Sequence, residues 1–304
     1  MIIRVGTRKG KLALIQTQLV INKIKHIYPE ISCEIVPIMT TGDLIKDRDL
    51  SEIGGKALFL KEIEMALLDN KIDIAVHSLK DVPGRVIKGL IISSVLERKD
   101  ERDVLISEKF KTIQELPQAA VVGTSSPRRK ILLKRARPDL RIVTFRGNVD
   151  SRINKFMHQS NNSIEAIILA AAGLKRLGIF NSQYCHLLNT NEMLPAVGQG
   201  VIAIETREDD ERMREIACSI NHQPTWQLIQ AERAFIEYLD ASCQTPIAAH
   251  ATYQGNNIKG EFMLSDPEGQ YVFFHTEIGA INDHKNIGIK AAKAILRMIP
   301  SHLK

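Results

Sequence analysis

The chain has 304 residues, of which 44% are hydrophobic and 25% are charged, so we expect a globular protein of two or three domains and exclude a disordered or fibrous chain. The net charge of +6 is modest for this length and leaves open a polyanionic partner or small acidic ligands held in a local basic site. No apolar run reaches the roughly 20 residues of a membrane span, and the N-terminus lacks the apolar segment of a secretory signal, so we expect neither. The four scattered cysteines favour a reduced, cytoplasmic setting.

The first part of the chain alternates between strands and helices. Ile2–Val5, Glu34–Ile38 and Ile72–Val76 are predicted strands, and the apolar spacing of residues 11–28 predicts a helix after the first of them. A second helix is predicted to open at Gly54-Gly55. This βαβ order is typical of a parallel sheet covered on both faces.

A second set of strands begins near residue 102, at Val121–Gly123, Ile142–Phe145 and Ala166–Ala170. The charged segment 93–103 is predicted to cross between the two sets, and residues 195–200 are predicted to cross back. Two crossings would make the first domain discontinuous and would place a ligand-binding cleft at a hinge.

Beyond residue 222 the pattern changes to that of a small α+β unit. A helix is predicted over Trp226–Leu239, strands over Ile258–Leu264 and Tyr271–Glu277, and a final helix over 284–298. We therefore predict three domains, which are residues 1–96 with 201–218, residues 102–194, and residues 223–304.

A predicted strand end in the second set carries two adjacent arginines. In the segment GTSSPRRK, residues 123–130, Thr124, Ser125 or Ser126 can cap a helix that begins with Pro127. Free N–H groups at a helix start attract anions, and Arg128 and Arg129 add planar cations that match carboxylates. We favour an anion site over a basic helix face in solvent.

Two further strand ends repeat this arrangement. Arg146 and Arg152 lie in FRGNVDSR, residues 145–152, and Arg8 follows the first strand. A cation in a first helical turn opposes the helix dipole, so a bound anion would account for Arg152. Lys56, in GGKALF, can also reach an anion, although this segment lacks the spacing of a phosphate loop. Strand ends of such sheets converge, which predicts a basic cleft.

Asp81 is a single carboxylate at the end of a predicted buried strand, in the segment HSLKDVP, residues 77–83. One interpretation is a turn cap before Pro83. The other is a carboxylate that stabilises a cation formed during a reaction.

The cysteines are Cys33, Cys185, Cys218 and Cys243, far apart and without a CxxC pair, and the histidines are scattered. Neither a metal site nor a disulfide framework is predicted. Cys243 lies in the polar segment DASCQTPI, and either an inert or a reactive thiol fits these residues.

Eight segments occur in order across nearly the whole chain: GTRKGKLA, GGKALFLKEIE, DIAVHSLKDVP, GTSSPRRK, FRGNVDSR, AIILAAAGLKRLG, LPAVGQG and ASCQTPI. Together they resemble the porphobilinogen deaminase, or hydroxymethylbilane synthase, family. The resemblance implies an α/β fold with two domains like type II periplasmic binding proteins, a hinge and cleft between them, and a small α+β C-terminal domain. It also implies a monomeric transferase of heme biosynthesis that condenses four porphobilinogens head to tail into hydroxymethylbilane and releases ammonia.

The resemblance further implies a dipyrromethane cofactor attached through a thioether to Cys243, with Asp81 as the catalytic residue. The implied cofactor contacts are Arg8, Lys56, Ser78, Lys80, Thr124, Ser125, Arg128, Arg129, Arg146 and Arg152. The implied substrate contacts are Arg8, Phe59, His77, Arg146, Arg152 and Arg176. No metal, nucleic acid or membrane is implied as a partner.

Three other classes of protein share parts of this pattern. A non-catalytic binder of small anions with the same fold would normally carry a secretory signal and would not need Cys243. A transcription regulator would need a helix-turn-helix ahead of the first sheet. A nucleic-acid binder would need aromatic residues among its basic ones, whereas aromatics are 5% of the chain and residues 128–152 contain only Phe145.

Overall fold

The computed structural model describes residues 1–44, 60–159, 163–242 and 245–300. Within these ranges the chain forms two five-stranded sheets and one three-stranded sheet, with helices packed on their faces. The predicted α/β class with a small third α+β unit is confirmed. The proposed start of a helix at Gly54-Gly55 lies outside the described residues.

The strands, in chain order, are β1 (Ile2–Arg8), β2 (Ser32–Ile38), β3 (Ile74–Ser78), β4 (Leu90–Val95), β5 (Asp103–Ile106), β6 (Val121–Gly123), β7 (Arg141–Val143), β8 (Ala166–Ala170), β9 (Cys185–Leu187), β10 (Ile202–Arg207), β11 (Ile247–Gln254), β12 (Asn257–Ser265) and β13 (Val272–Ala280). The helices are α1 (Lys11–Ile27), α2 (Thr41–Leu44), α3 (Lys61–Leu68), α4 (Pro127–Ala136), α5 (Val149–Met157), α6 (Ala171–Arg176), α7 (Glu211–Ser219), α8 (Gln223–Tyr238) and α9 (His284–Met298).

The two large sheets have the same topology. The strand order is β2-β1-β3-β10-β4 in the first and β7-β6-β8-β5-β9 in the second. In each sheet the fourth strand is antiparallel to both of its neighbours. The βαβ order predicted a parallel sheet, and β1 is parallel to both β2 and β3. Strands β5 and β10 pair antiparallel, because they enter their sheets directly from a crossing, without the helical connection that parallel pairing requires.

The two crossings run side by side at the hinge. Lys99 N–H donates to Gly200 O at 3.1 Å. Gly200 has a φ of +87°, and a Cβ there would lie 2.3 Å from Lys99 O, so only glycine fits. The first crossing is shorter than predicted, since β4 ends at Val95 and β5 begins at Asp103. We call the sheet of β1–β4 and β10 with its helices the first lobe, and the sheet of β5–β9 with its helices the second lobe.

The third sheet is an antiparallel meander of β11, β12 and β13, covered by α8 and α9. Its core includes a buried aromatic pair, Phe235 and Phe262, with ring centroids 4.8 Å apart. Strand β11 was not predicted, because its alanine-rich sequence has little strand propensity. The boundaries of the three proposed domains remain a proposal, which this distribution of strands supports.

A buried carboxylate, that of Glu232 on α8, links the hinge to the third sheet. Its oxygens accept from Arg98 Nη2 at 2.7 Å in the first crossing, from Gly198 N at 2.8 Å in the second, and from Ala251 N at 2.9 Å on β11. Glu232 has no exposed surface. Three separate parts of the chain therefore depend on one anion for their hydrogen bonds.

We predict that Glu232→Gln destabilises the protein by about 3 kcal/mol, because removing one partner of a buried ion pair leaves the other charge uncompensated. Urea unfolding at pH 7 measures this loss. Glu97→Gln is the matched control, since Glu97 pairs with Lys99 at the surface, where both side chains are more than half exposed, and such pairs contribute little. Equal unfolding midpoints for Glu232→Gln and wild type would contradict the assignment.

Candidate active site

The end of β3 carries Asp81 into a short 3₁₀ turn, Leu79–Asp81. Leu79 anchors the turn, because its side chain is buried and its N–H donates to Val201 O at 3.0 Å. Lys80 is exposed and Asp81 is half-buried. The turn therefore fixes the backbone of these two residues and leaves their side chains accessible.

In the second lobe, the loop between β6 and α4 is shaped by hydroxyl groups. Ser126 Oγ accepts from Arg129 N and caps α4, as one of the sequence alternatives predicted. Thr124 Oγ1 accepts from Ser126 N at 3.2 Å, and Ser125 Oγ donates to Phe145 O at 2.7 Å. In this structure Thr124 and Ser125 therefore hold the loop that positions the arginines of α4.

The side chains of Arg128 and Arg129 are buried and share one carboxylate, that of Asp103 at the start of β5. Arg128 Nη2 lies 2.8 Å from Asp103 Oδ2, and Arg129 Nη2 lies 2.7 Å from Asp103 Oδ1. The sequence predicted an anion site here. The structure shows that one anion at this site is a protein group, the carboxylate of Asp103.

Further cations lie around this pair and around Asp81. Burial, followed by the charges of Arg129 and Arg146, lowers the pKa of Arg152 to about 10, while the charge of Asp81 opposes the shift. Arg152 therefore stays protonated at neutral pH but in an unfavourable electrostatic environment. Its Nε donates to Gly147 O at 2.7 Å, which fixes the side chain across the β7–α5 loop.

Lys80, in the first lobe, also lies near these cations. Desolvation by the surrounding protein, followed by the charge of Arg129, lowers the pKa of the Lys80 ammonium to about 8. The charges of Asp81 and Asp103 oppose this shift. The Lys80 side chain is accessible to solvent although many protein atoms lie around it, as expected for a residue that lines a cleft. Its Nζ lies 3.5 Å from Gln199 Oε1 at the hinge.

The loops that carry Arg8 and Arg146 approach each other across the cleft. A Cβ on Gly10, two residues after Arg8, would lie 3.8 Å from Asn148 Oδ1, two residues after Arg146. Both arginines are half-buried. The segments that follow Arg8 and Arg146 therefore lie close together, in line with the predicted convergence of these strand ends.

Arg176, at the end of α6, lies against the hinge. Its Nη2 donates to Gly200 O at 2.7 Å, and burial lowers the pKa of the guanidinium to about 10. Arg176 Nε is buried without a hydrogen-bond partner in the described structure, as is Arg128 Nε. Buried donors of this kind suit an anionic ligand, since leaving them unpaired is costly.

His77 and Ser78 have hydrogen-bond partners within the first lobe. His77 Nε2 lies 3.0 Å from Glu205 Oε2 in the interior of the first lobe, and only 6% of His77 is exposed. Ser78 Oγ exchanges hydrogen bonds with the side-chain amide of Gln16 on α1. The buried imidazole is already paired with Glu205, and a contact of His77 with substrate stays a prediction. Lys56, Phe59 and Cys243 lie outside the described residues.

The fold and this site define a class: a two-lobed α/β protein with a hinge and with a cleft whose excess of guanidinium and ammonium groups suits a ligand that bears several carboxylates. The buried unpaired donors fit a dipyrromethane with acidic side chains, as the sequence resemblance implied.

Known families and relatives specify the class further. Residues 3–215 match the family model of the dipyromethane cofactor binding domain of porphobilinogen deaminase. Residues 226–297 match the family model of the porphobilinogen deaminase C-terminal domain. A porphobilinogen deaminase of Rickettsia akari (strain Hartford) is 57% identical over 98% of both chains. Another, of Rickettsia prowazekii (strain Madrid E), is 58% identical over 97% of this chain and 98% of that one. The chain belongs to the porphobilinogen deaminase family.

The resemblance drawn from the ordered segments is thereby confirmed, together with the transferase class and the dipyrromethane cofactor that it implied. Sequence reasoning missed two groups at the centre of the site, Asp103 and Gln199. Both lie at the predicted crossings, within DERD and VGQG. Polar residues in such a segment are typical of a solvent-exposed linker, so the sequence does not indicate that these two are buried. Their role depends on partners far along the chain.

A buried acidic group of the first lobe gives a pH-dependent prediction. Glu64 on α3 is 2% exposed, and burial, followed by the charge of Glu205, raises its pKa to about 7, although His77 opposes the shift. A carboxyl with a raised folded-state pKa contributes full stability below its unfolded pKa of about 4.5 and loses that contribution as the pH rises through 7.

We therefore predict that Glu64→Gln gains stability relative to wild type by about 2 kcal/mol between pH 5 and pH 8, because glutamine stays neutral. Urea unfolding at the two pH values measures the difference. Glu108→Gln, at an exposed position, should show no such change. A Glu64→Gln difference that is constant across this range would contradict the prediction.

Proposed function

We infer that the protein is an enzyme of porphyrin and heme biosynthesis that condenses four porphobilinogens into hydroxymethylbilane and releases ammonia at each step. The observation that carries this inference is the placement of Asp81 beside cations that come from both lobes, in a chain of this family. Each porphobilinogen brings an acetate and a propionate, so the ligand of this cleft gains negative charge as it lengthens.

The cations account for binding. Burying a carboxylate without a partner costs several kcal/mol even after relaxation, and a cleft lined by guanidinium groups offsets that cost. We propose cofactor contacts from Arg8, Lys56, Ser78, Lys80, Thr124, Ser125, Arg128, Arg129, Arg146 and Arg152. We propose substrate contacts from Arg8, Phe59, His77, Arg146, Arg152 and Arg176.

We propose Cys243 as the residue that holds the dipyrromethane through a thioether. When bound, this group supplies the pyrrole α-carbon to which the first substrate is added. The guanidinium groups of the cleft would hold its carboxylates.

Asp81 accounts for the chemical step. When the aminomethyl C–N bond of a bound porphobilinogen breaks, ammonia leaves and the pyrrole ring carries a positive charge. The Asp81 carboxylate accepts a hydrogen bond from the pyrrole N–H and stabilises this charge. The methylene carbon of the substrate would then form its new C–C bond to the free α-carbon of the chain end, and the proton displaced from that carbon would pass to solvent or to the departing ammonia. Among the described residues, the charges that interact with Asp81 include those of Lys80 and Arg152. We propose that such cations bind the acidic arms of the ligand and leave this carboxylate to the reacting ring.

We further propose that the protein is a cytoplasmic monomer that binds neither nucleic acid nor membranes. Over the ranges that the structure covers, no helix combines the length and the apolar character of a membrane span.

We predict that the purified protein exceeds its polypeptide mass by two condensed porphobilinogen units, and that Cys243→Ser removes this excess by removing the thioether sulfur. Intact-protein mass measurement tests both statements. Cys218→Ser, which changes an exposed cysteine of α7, should keep the excess. An active wild-type protein with only the polypeptide mass would refute covalent attachment.

We predict that Asp81→Asn retains the mass excess and the melting temperature while turnover falls roughly 100- to 1000-fold, the range for loss of one electrostatic contact to a transition state. Asp69→Asn, at a surface ion pair with Lys71, is the control and should turn over normally. The role of Asp81 is excluded if the two variants consume porphobilinogen at similar rates.

A further inference from the structure

Asp103 is the central anion of the hinge side of the cleft. It is the first residue of β5, where the chain enters the second lobe, and it has no exposed surface. Its carboxylate accepts four hydrogen bonds: from Arg128 Nη2 at 2.8 Å, from Arg129 Nη2 at 2.7 Å and Nε at 3.1 Å, and from Gln199 Nε2 at 3.0 Å. Four is the number of acceptor sites that a carboxylate offers.

This carboxylate fixes two like charges beside each other. Arg128 Nη1 also donates to Leu194 O at 2.6 Å, and Arg129 Nη1 donates to Ile168 O at 2.9 Å. Each guanidinium is therefore held at two points, by Asp103 and by a backbone carbonyl. Since a guanidinium carries five N–H groups, both arginines keep N–H groups beyond these bonds, including the buried Nε of Arg128.

The remaining donors belong to a group with excess positive charge. Asp103 is ionised, because the two arginines lower its pKa to about 2 against the effect of burial. One negative charge stands against Arg128, Arg129 and the nearby Lys80. The charge of Arg129 also acts on Arg152 of the same lobe and on Lys80 of the first lobe, which places this guanidinium beside the other cations of the site.

Gln199 connects this arrangement to the hinge. Its Nε2 donates both to Asp103 Oδ1 and to Glu101 O, the latter at 2.6 Å, and its Oε1 faces Lys80 Nζ of the first lobe. The position of the Asp103 carboxylate is thus set from both crossings as well as from α4.

We propose that Asp103 is a positioning residue, whose carboxylate holds the guanidinium groups of Arg128 and Arg129 side by side so that their remaining N–H groups meet the carboxylates of the dipyrromethane. This inference rests on the proposed function and deepens it. Asp103 itself touches neither substrate nor cofactor; it determines where the two binding groups point.

The alternative is that Asp103 only balances charge in the interior. The two roles differ in their sensitivity to geometry, because charge balance tolerates a shift of the carboxylate and positioning does not. Asp103→Asn does not separate them, since it leaves two buried guanidinium groups without their anion and is expected to impair folding. Asp103→Glu keeps the charge and moves the carboxylate by one methylene.

We predict that Asp103→Glu folds, with the near-UV circular dichroism of wild type, but that the fraction of chains with the cofactor mass excess falls at least fivefold. In the loaded remainder, KM for porphobilinogen should rise about tenfold while kcat stays within threefold. Intact-protein mass and steady-state kinetics give these values.

Asp139→Glu is the matched control. Asp139 binds Arg137 through Nε and Nη2, both at 2.8 Å, in the same lobe, but both side chains are partly exposed. This variant should load cofactor and turn over as wild type does.

Two results would overturn the proposal: an Asp103→Glu protein that loads and binds substrate as wild type does, or one that does not fold, which would assign Asp103 to fold stability. A wild-type protein that lacks the mass excess and does not consume porphobilinogen would instead refute the proposed function, so the two failures are distinguishable.

Discussion

The structure depends on the burial of one carboxylate between two guanidinium groups. Asp103 lies where the chain enters the second lobe, and the arginines that it binds lie at the start of α4, after β6. Without this anion, Arg128 and Arg129 would repel each other in a low-dielectric environment, where the cost of an unpaired charge is greatest. With it, they are held together and still carry a net positive charge.

This excess charge determines what the cleft can bind. Lys80 comes from the first lobe, and Arg146 and Arg152 come from the second, so a ligand with several carboxylates can contact both lobes at once. A neutral or cationic ligand would leave the cations uncompensated. The same distribution explains why Asp81 is suited to a transient positive charge: the surrounding cations bind the acidic arms of the ligand and leave this carboxylate to the reacting ring.

Much of the fold and of the basic cleft could be predicted from the sequence, because these features follow from local patterns of residues. The arginines at the ends of β1 and β7 follow apolar strands, and the ordered segments specified the family. Other parts depend on contacts between distant residues. The pairing of Asp103 with Arg128 joins residues 25 apart, and that of His77 with Glu205 joins residues 128 apart. No periodicity in the sequence indicates such pairs, so the burial of His77 against Glu205 could not be predicted.

The central claim is that the guanidinium groups of the cleft bind the acidic side chains while Asp81 faces the pyrrole nitrogen. A crystal structure of the cofactor-loaded protein tests it most directly. The account predicts carboxylate oxygens of the cofactor within about 3 Å of guanidinium nitrogens of Arg129, Arg146 or Arg152, and an Asp81 oxygen at hydrogen-bonding distance from a pyrrole N–H. Cofactor carboxylates that point into solvent, with Asp81 turned away from the pyrroles, would contradict it.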